Sequence, residues 1–330
     1  MRVLITGGTG FIGRHLARRR LGRGDRVWAT FLTPEAVGEM PLPGPTLLAC
    51  DVRRPDQVEA VVAACRPQLV FHLAAQTYID RSWADPADTL EINVGGTARL
   101  LDTVGRQAPR ARVLIAGSSA EYGLSCSAGL PLSEGERLAP LSPYGVSKLG
   151  QDELGRLYHQ ARGRDVVRAR IFNTIGPGKQ GDFLADFCQQ VVRIESGESP
   201  AAIEAGNLDS RRDLTDVEDT VAALDLAADH GQGGEAYNIS SGRAVRIGDV
   251  LDLLLEIAGV KARIEVRPEK LRPAEEPEIL GDASKLEALT GWRPGVPFAE
   301  TLARTLEYWR DQYQSKQQAG GGRELAARKA

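Results

Sequence analysis

The first half of the chain alternates short apolar runs with longer stretches whose apolar residues recur every three or four positions. Amphipathic stretches such as FIGRHLARRRLG and PDQVEAVVAACR have the period of a helix. The apolar runs lack strict alternation, which is typical of strands buried on both faces of a sheet. Six runs precede residue 173: RVLIT (2–6), RVWATF (26–31), TLLAC (46–50), QLVFHLA (68–74), RVLIAG (112–117) and VVRARIF (166–172). The pattern predicts an α/β fold with a doubly wound, Rossmann-type parallel sheet, because right-handed crossovers place helices on both faces.

After residue 172 the rhythm becomes irregular and predicts a smaller α/β lobe towards the C-terminus. A Gly/Pro loop, NTIGPGKQGD, is followed by the helix patterns FLADFCQQVVRIESG and IGDVLDLLLEIAG, with a strand and turn at EAYNISSG. We assign 1–172 and about 208–245 to a dinucleotide-binding domain, and 173–207 and 246–312 to the second lobe. The end of the chain, 313–330, has a glycine run and few apolar residues, and we expect a flexible tail there.

Charge and cysteine content narrow the class of protein. The formal net charge is −3, so no basic excess points to nucleic acid or to a membrane surface. The four cysteines are scattered without CxxC spacing or a nearby His, which argues against a zinc site or a disulfide framework. No apolar run approaches the roughly 18 residues of a spanning helix, and Met1 leads directly into a strand without a signal-peptide pattern. We expect a soluble, cytoplasmic protein without a metal.

A glycine loop between the first strand and the first helix predicts a cofactor site. LITGGTGFIG places Gly7, Gly10 and Gly13 three residues apart, with Phe11 and Ile12 opening the helix. Glycine permits the tight turn and the close approach of a pyrophosphate, and the helix N-terminus supplies free N–H groups. This loop in a βαβ context predicts dinucleotide binding.

The end of the second strand bears on which dinucleotide is bound. NAD enzymes normally carry an acidic residue there for the ribose 2′-hydroxyl, whereas this strand ends in Thr30 and Phe31. Arg14 and Arg53 could reach a 2′-phosphate, although both could equally be solvated charges. The sequence therefore favours NADP(H) and leaves NAD(H) possible.

Other positions after the strands are candidates for contacts with the cofactor. Asp51 and Val52 follow the third strand, where they could meet the adenine, and Asp51 could instead be a helix N-cap. Leu73 to Ala75 pass the nicotinamide side, or simply pack tightly. Asn93 could satisfy backbone groups near the cofactor, or have no ligand role.

A tyrosine and a lysine in SPYGVSK are candidates for proton transfer. Tyr144 and Lys148 are four residues apart and share a helix face. A nearby ammonium favours the phenolate, so we expect the pKa of Tyr144 to fall from about 10 towards neutrality. The same spacing is also common in surface pairs without a function.

Together with the glycine loop and the serines of LIAGSSAEYG, this pair resembles the extended short-chain dehydrogenases/reductases that act on nucleotide sugars, over about residues 1–312. The resemblance implies that Tyr144 is the acid/base and that Lys148 holds the nicotinamide ribose. It also implies that Ser118 supports the substrate oxygen. Members of this family commonly form homodimers through a four-helix bundle, here from helices around 85–106 and 143–162. Those apolar faces could instead cover the sheet.

Segments of the second lobe resemble the GDP-mannose branch of this family: FNTIGPG (172–178), GNLDSRRDLTDV (206–217) and LRPAEEPEILGD (271–282). They look most like GDP-4-keto-6-deoxy-D-mannose reductases and somewhat less like GDP-mannose 4,6-dehydratases. The resemblance implies a nucleotide-sugar-binding lobe, in which arginine guanidinium groups suit phosphates. Arg81, after the fourth strand, could border the sugar. The substrate-binding residues implied are Ser119, Asn173, Lys179, Asn207, Arg212, Arg272 and Glu275.

Three reactions share this scaffold. In the family, a dehydratase eliminates water with the two residues after the catalytic hydroxyl, here Ser119 and Ala120, and Ala120 cannot transfer a proton. Glu121 lies one residue later, where a turn could bring it into the site. A 4-epimerase holds NAD tightly, which the non-acidic end of the second strand disfavours. We therefore expect NADPH-dependent reduction of the C4 ketone of a GDP-linked 4-keto-6-deoxy sugar, with GDP-D-rhamnose as the product ahead of GDP-6-deoxy-D-talose. A catalytically inactive NADP-binding sensor is the alternative outside enzymes.

Overall fold

The computed structural model describes residues 1–34, 37, 44–127, 131–271 and 276–327, with side chains left out at 126–127 and 319–327. Its helices are α1 (Phe11–Gly22), α2 (Pro55–Cys65), α3 (Ile79–Ala84), α4 (Pro86–Leu90), α5 (Gly96–Gln107), α6 (Pro143–Arg162), α7 (Phe183–Glu195), α8 (Val217–His230), α9 (Ile247–Ala258), α10 (Ser284–Thr290) and α11 (Phe298–Ala327). Its strands are β1 (Arg2–Thr6), β2 (Arg26–Phe31), β3 (Thr46–Ala49), β4 (Leu69–His72), β5 (Arg112–Ser118), β6 (Val166–Ile171), β7 (Asn173–Ile175), β8 (Ala202–Ala205), β9 (Arg211–Asp216), β10 (Ala236–Ile239), β11 (Ala244–Arg246), β12 (Arg263–Val266) and β13 (Glu278–Ile279).

Seven of the strands form one sheet in the order β10-β6-β5-β4-β1-β2-β3, and all its neighbouring strands are parallel. The order reverses at β1, as in doubly wound folds, where ligands bind outside the carboxyl ends of the strands. Alternate residues of β1 enter different cores: Val3 and Ile5 pack with α1 and α8, whereas Leu4 packs with α2 and α5. The predicted fold class, a Rossmann-type α/β sheet covered on both faces, is confirmed.

The chain divides into two units. The first contains Met1–Thr174, Asp213–Ala244 and Glu278–Pro294, and the second contains Ile175–Arg212, Val245–Pro277 and Gly295–Ala330. The second unit packs α7, α9 and α11 together beside the parallel pair β8 and β12. Residues 278–294, predicted for the second lobe, belong to the first unit. The binding roles assigned to the two domains stay predictions.

Two other expectations concern the C-terminus and the membrane. The structure continues α11 to Ala327, so the predicted tail begins as helix, and its flexibility stays a prediction. Within the described ranges, no helix combines the length and the hydropathy that crossing a membrane requires.

Candidate active site

The side chains predicted to be catalytic lie in the first unit, at the carboxyl end of β5 and in the first turns of α6. Ser118 is the last residue of β5. The Ser142 hydroxyl caps α6 by accepting from the Gly145 N–H at 3.1 Å, so the helix begins just before Tyr144. The Ser118 hydroxyl lies near enough to the phenol of Tyr144 to lower its pKa. The fold brings these two hydroxyls near each other, and their catalytic roles stay predictions.

Lys148 lies one helical turn after Tyr144, and its side chain is buried. Its Nζ donates to the Ala116 carbonyl at 2.8 Å and to Oε1 of Gln151 at 2.9 Å. Burial lowers the pKa of Lys148 to about 8, and the negative charge of Glu121 opposes this shift. The ammonium is therefore fixed beneath the end of the sheet and loses its proton within the range of ordinary assay pH.

The pKa of Tyr144 departs from the expectation. Burial raises it to about 12, the hydrogen bond from Ser118 lowers it, and the charge of Glu121 raises it further. The predicted fall towards neutrality is wrong, because loss of solvent around the phenol outweighs the other interactions. At neutral pH Tyr144 is a protonated phenol, suited to donating a proton.

A short turn after β5 decides the role of Glu121. Residues Ser119–Glu121 form one 3₁₀ turn, in which the Ser118 hydroxyl accepts from the Ala120 N–H at 3.2 Å. Oε1 of Glu121 accepts from the Ser118 N–H at 2.7 Å, which completes a capping box. Oε2 lies 3.2 Å from Nε of Arg170, and the side chain is fully buried. Glu121 therefore caps the turn and pairs with an arginine.

The glycine loop forms a cradle that fits a pyrophosphate. Gly7 has φ = +67°, which favours glycine, and its N–H donates to Oγ1 of Thr30 at 2.9 Å. A Cβ on Gly13 would lie only 2.4 Å from the Gly7 carbonyl oxygen. The N–H groups of Phe11 and Ile12 open α1, where a helix offers donors and the positive end of its dipole. Gly10, the residue before the helix, donates its own N–H to the Gly7 carbonyl at 3.0 Å.

The side chains after β2 and β3 are already paired. Thr30 orients the glycine loop, as its bond to Gly7 shows. Asp51 accepts from the backbone N–H and the guanidinium of Arg53, and this lowers the pKa of Asp51. The cap of α2 is Arg54, so Asp51 is not the N-cap considered from the sequence. Val52 is buried beside it.

Several other arginines weighed from the sequence also have partners. Arg53 further bonds Asp88 at 2.8 Å, and Arg81 reaches the other oxygen of Asp88 at 2.9 Å. Arg14 is buried in α1.

The segment after β4 is held by Asn93. The Leu73 N–H donates to the Thr6 carbonyl at 3.2 Å, and Ala74 and Ala75 follow, both half-buried. Asn93 lies in a π-helical segment, Glu91–Gly95, and its amide bonds both backbone groups of Gln76 at 2.8 and 2.9 Å. Asn93 therefore fixes the path of this segment, and its place near the cofactor stays a prediction.

The residues predicted to bind substrate occur in both units. In the first unit, Ser119 is buried in the turn and Asn173 is the first residue of β7. In the second, Nζ of Lys179 pairs with Asp182 at 3.1 Å, and Asn207 accepts from the Asp209 N–H.

Arg212, also in the second unit, is buried, and its Nη1 donates to the carbonyls of Arg211 and Glu276, both at 2.9 Å. Arg272 and Glu275 lie outside the described residues. In the residues that are described, no cluster of three His, Cys, Asp or Glu is arranged to hold a metal ion.

Sequence reasoning missed a set of buried polar residues next to the predicted site. Gln151, which accepts from Lys148, also donates to Thr97 at 2.6 Å, and Thr97 contacts His72. His72 and Thr6 are paired across β4 and β1. The only signal in the sequence was that Thr6 ends one apolar run of the predicted sheet and His72 lies near the end of another.

A family model described as GDP-mannose 4,6 dehydratase matches residues 4–305. A GDP-6-deoxy-D-mannose reductase of Pseudomonas aeruginosa is 33% identical over 309 residues, which are 93% of this chain and 97% of that protein. A dTDP-glucose 4,6-dehydratase of an Actinoplanes species is 31% identical and covers 94% of this chain and 98% of its own.

Solved structures are similar over nearly the whole chain. The structure of RMD from Pseudomonas aeruginosa in complex with NADPH has a TM-score of 0.82 at 31% identity, and covers 94% of this chain and all of that one. A UDP-glucose 4-epimerase of Thermotoga maritima with UDP-glucose has a TM-score of 0.85 at 26% identity, with 95% and 100% covered. Extent and identity together show that the chain belongs to the GDP-mannose 4,6-dehydratase family of extended short-chain dehydrogenases/reductases, NAD(P)-dependent enzymes that act on nucleotide sugars.

Proposed function

We propose that this enzyme reduces the C4 ketone of GDP-4-keto-6-deoxy-D-mannose with NADPH. One observation carries the proposal: the site holds a hydroxyl pair for protonating a ketone, while the carboxylate next to it is used elsewhere. The Ser118 hydroxyl lies near enough to the Tyr144 phenol to lower its pKa, Ala120 has no proton to transfer, and Glu121 caps a turn. The 33% identity to a GDP-6-deoxy-D-mannose reductase supports the same reading.

The residues act on the ketone oxygen. The Ser118 hydroxyl orients O4 of the sugar, and Tyr144 donates its proton to O4 as the alkoxide forms. Bound NADPH supplies the hydride that C4 gains. A phenol with a pKa of about 12 is fully protonated at neutral pH, so Tyr144 carries the proton that it donates. The ammonium of Lys148 then favours the phenolate that remains.

The site lacks the acid and the base that elimination of water requires. A dehydratase needs a base and an acid beyond the triad, and in this family they follow the catalytic hydroxyl. Ser119 and Ala120 occupy those positions, and Glu121 is fully buried, with Oε1 accepting from the Ser118 N–H and Oε2 in an ion pair with Arg170 at 3.2 Å. We therefore propose that a dehydratase forms the 4-keto sugar first, that this enzyme then reduces it, and that GDP-D-rhamnose is the product.

The cofactor we propose is NADP(H) ahead of NAD(H). β2 ends in Thr30 and Phe31, neither of which is acidic, so this strand end carries no charge that repels a 2′-phosphate. A similar solved structure contains NADPH. Another similar solved structure, the UDP-glucose 4-epimerase of Thermus thermophilus, contains NAD. The contacts predicted for the dinucleotide and for Ser119, Asn173, Lys179, Asn207 and Arg212 belong to this proposal.

The purified enzyme with NADPH tests the function. We expect loss of reduced-cofactor absorbance with GDP-4-keto-6-deoxy-D-mannose and none with GDP-mannose, and a GDP-6-deoxyhexose as the product. Tyr144→Phe should lose at least about 100-fold in kcat, the usual size of a general-acid effect. Tyr158→Phe is the matched control: it lies on the same helix, bonds Asp102, and should keep its activity.

Two outcomes contradict the proposal. Conversion of GDP-mannose to its keto sugar would make the enzyme a dehydratase, and turnover of a UDP-hexose without net cofactor change would make it an epimerase. Full activity of Tyr144→Phe would remove the assigned proton donor.

We also propose a homodimer formed through a four-helix bundle from the helices around 85–106 and 143–162, which are α4, α5 and α6. Trp83 is 62% exposed and Leu157 is 46% exposed, and Trp83, Leu90 and Val146 line a shallow apolar depression. Exposed apolar patches of this kind mark association surfaces.

The buried free thiols of Cys50, Cys65 and Cys188 support a cytoplasmic location, which cell fractionation would check.

Light scattering tests the dimer. We expect a mass of twice 35.6 kDa for the wild type and a shift towards monomer in Leu157→Glu, because a buried unpaired charge opposes association. Leu289→Glu, equally exposed on α10, should leave the mass unchanged. A monomeric wild type, or a Leu157→Glu dimer as tight as the wild type, would contradict this interface.

A further inference from the structure

A continuous row of buried polar side chains runs from the catalytic lysine to the end of β1. Nζ of Lys148 donates to Oε1 of Gln151 at 2.9 Å, and Nε2 of Gln151 donates to Oγ1 of Thr97 at 2.6 Å. Thr97 lies 2.9 Å from Nε2 of His72, whose Nδ1 lies 2.8 Å from Oγ1 of Thr6. All five side chains are at most 4% exposed. Buried polar groups at this density have to satisfy one another.

The Thr97 hydroxyl sets the donors and acceptors along the row. The Thr97 hydroxyl donates its single hydrogen to the Asn93 carbonyl at 2.6 Å, so its oxygen accepts from both Gln151 and His72. His72 therefore carries its hydrogen on Nε2, and its Nδ1 accepts from the Thr6 hydroxyl. Burial and the charge of Lys148 lower the pKa of His72 to about 3, which agrees with a neutral ring.

These hydrogen-bond directions fix the orientation of the Gln151 side-chain amide. Because Thr97 has no second hydrogen to donate, it must face the NH₂ group of Gln151, and the amide oxygen is left pointing at Lys148. An amide oxygen only accepts hydrogen bonds. Because a bond from a charged donor is stronger than one from a neutral amine, this oxygen stabilises the ammonium form of Lys148. Nζ of Lys148 also donates to the Ala116 carbonyl.

We propose that Gln151 is a positioning residue for the reduction: its amide oxygen, oriented by Thr97, His72 and Thr6, holds Lys148 in place in its charged form. The inference rests on the proposed function, in which the Lys148 ammonium favours the phenolate of Tyr144. The other groups that bear on the charge of Lys148 are Glu121 from the turn after β5 and neutral His72 from β4.

A direct titration of Lys148 tests the proposal without substrate or cofactor. In protein labelled with ¹³C at lysine Cε, the signal of Lys148 is identified by its disappearance in Lys148→Gln. Gln151→Met removes the acceptor at similar volume and should lower the titration midpoint by about one pH unit. Gln151→Glu provides a charged acceptor and should raise the midpoint by about one pH unit. Gln160→Met is the control, because Gln160 is exposed on the same helix and bonds Arg156.

The alkaline limb of kcat/KM should move in the same two directions as the titration. Thr97→Val keeps Gln151 but removes its anchor, and should lower the midpoint even if Gln151→Met fails to fold. A purely structural glutamine predicts loss of thermal stability with an unchanged midpoint, and that result would overturn the proposal, as would shifts of the same sign in Gln151→Met and Gln151→Glu. An enzyme inactive on the keto sugar would refute the proposed substrate while leaving this titration readable.

Discussion

At the scale of single residues, Gly13 is where the backbone leaves no room for a side chain. A Cβ there would lie 2.4 Å from the Gly7 carbonyl oxygen and 2.7 Å from Cα of Gly8, both backbone atoms that cannot rotate away. Gly13→Ala must therefore push the glycine loop open. We expect at least a tenfold rise in the Kd for NADPH, measured by fluorescence titration, because the loop N–H groups no longer converge on the pyrophosphate.

Gly22 offers the matched control for this substitution. It ends the same helix, α1, and a Cβ there would have no atom within 4 Å. Gly22→Ala should leave NADPH binding unchanged and stabilise the fold by up to about 1 kcal/mol. Equal binding by both variants would show that the loop does not contact the cofactor.

Side-chain roles at this scale were predictable where they depend on spacing along one helix or strand. Tyr144 and Lys148 share a face because they are four residues apart, and Ser118 ends a strand because the apolar run stops there. The pKa of Tyr144 was not predictable, since it depends on burial by residues distant in sequence. The role of Glu121 depended on whether a 3₁₀ turn followed β5, and a capping box that links it to Ser118 decided the matter.

At the scale of elements, the strands of the main sheet follow their apolar runs closely. β1 and β2 have the bounds that the sequence predicted, and β3 ends one residue early, at Ala49. The partner of a strand is less visible in sequence. β10 was predicted as a strand, yet its pairing with β6, Ala236 opposite Arg168, joins segments that no local pattern connects. Local periodicity predicts an element, whereas long-range packing selects its neighbours.

One of those strands also contains charges that its apolar run concealed. Arg168 and Arg170 of β6 are both buried, and both form ion pairs with Asp152 of α6. A buried carboxylate between two guanidinium groups compensates their charge, whereas removing one partner would leave a buried charge without compensation. These pairs hold α6 against β6, on the helix that also carries Tyr144 and Lys148.

At the scale of the whole molecule, the formal charge of −3 says little about where the charges lie. Arg20 of α1 is fully buried, with Asp25 at 2.8 Å and Asp225 of α8 at 3.0 Å. Composition suggests a protein with ordinary solvated charges, yet the first unit places several ionisable groups out of water. The stability of such a protein must depend on pH through those groups, and the direction follows from each one.

His72 makes the folded protein less stable as the pH falls below neutral. Its pKa is about 3 in the folded protein and about 6.5 when the chain unfolds, so only the unfolded chain binds a proton between those values. The stability that the neutral ring confers is therefore complete above about pH 6.5 and is lost progressively as the pH falls towards 3. From pH 7 to pH 5 this one residue should reduce the free energy of unfolding by about 2 kcal/mol.

Urea unfolding of the wild type and His72→Gln at pH 7 and pH 5 isolates that contribution. The variant should be less stable at pH 7, because the bonds to Thr97 and Thr6 change, but it should lose about 2 kcal/mol less than the wild type on acidification. His230→Gln, at an exposed position ending α8, should retain the wild-type loss. Equal acid losses in the wild type and His72→Gln would mean that the ring binds a proton in the folded protein. In a protonated ring, Nε2 would still donate to the Thr97 oxygen, but Nδ1 would also carry a hydrogen. The Thr6 hydroxyl would then have to turn its own hydrogen away and accept from Nδ1.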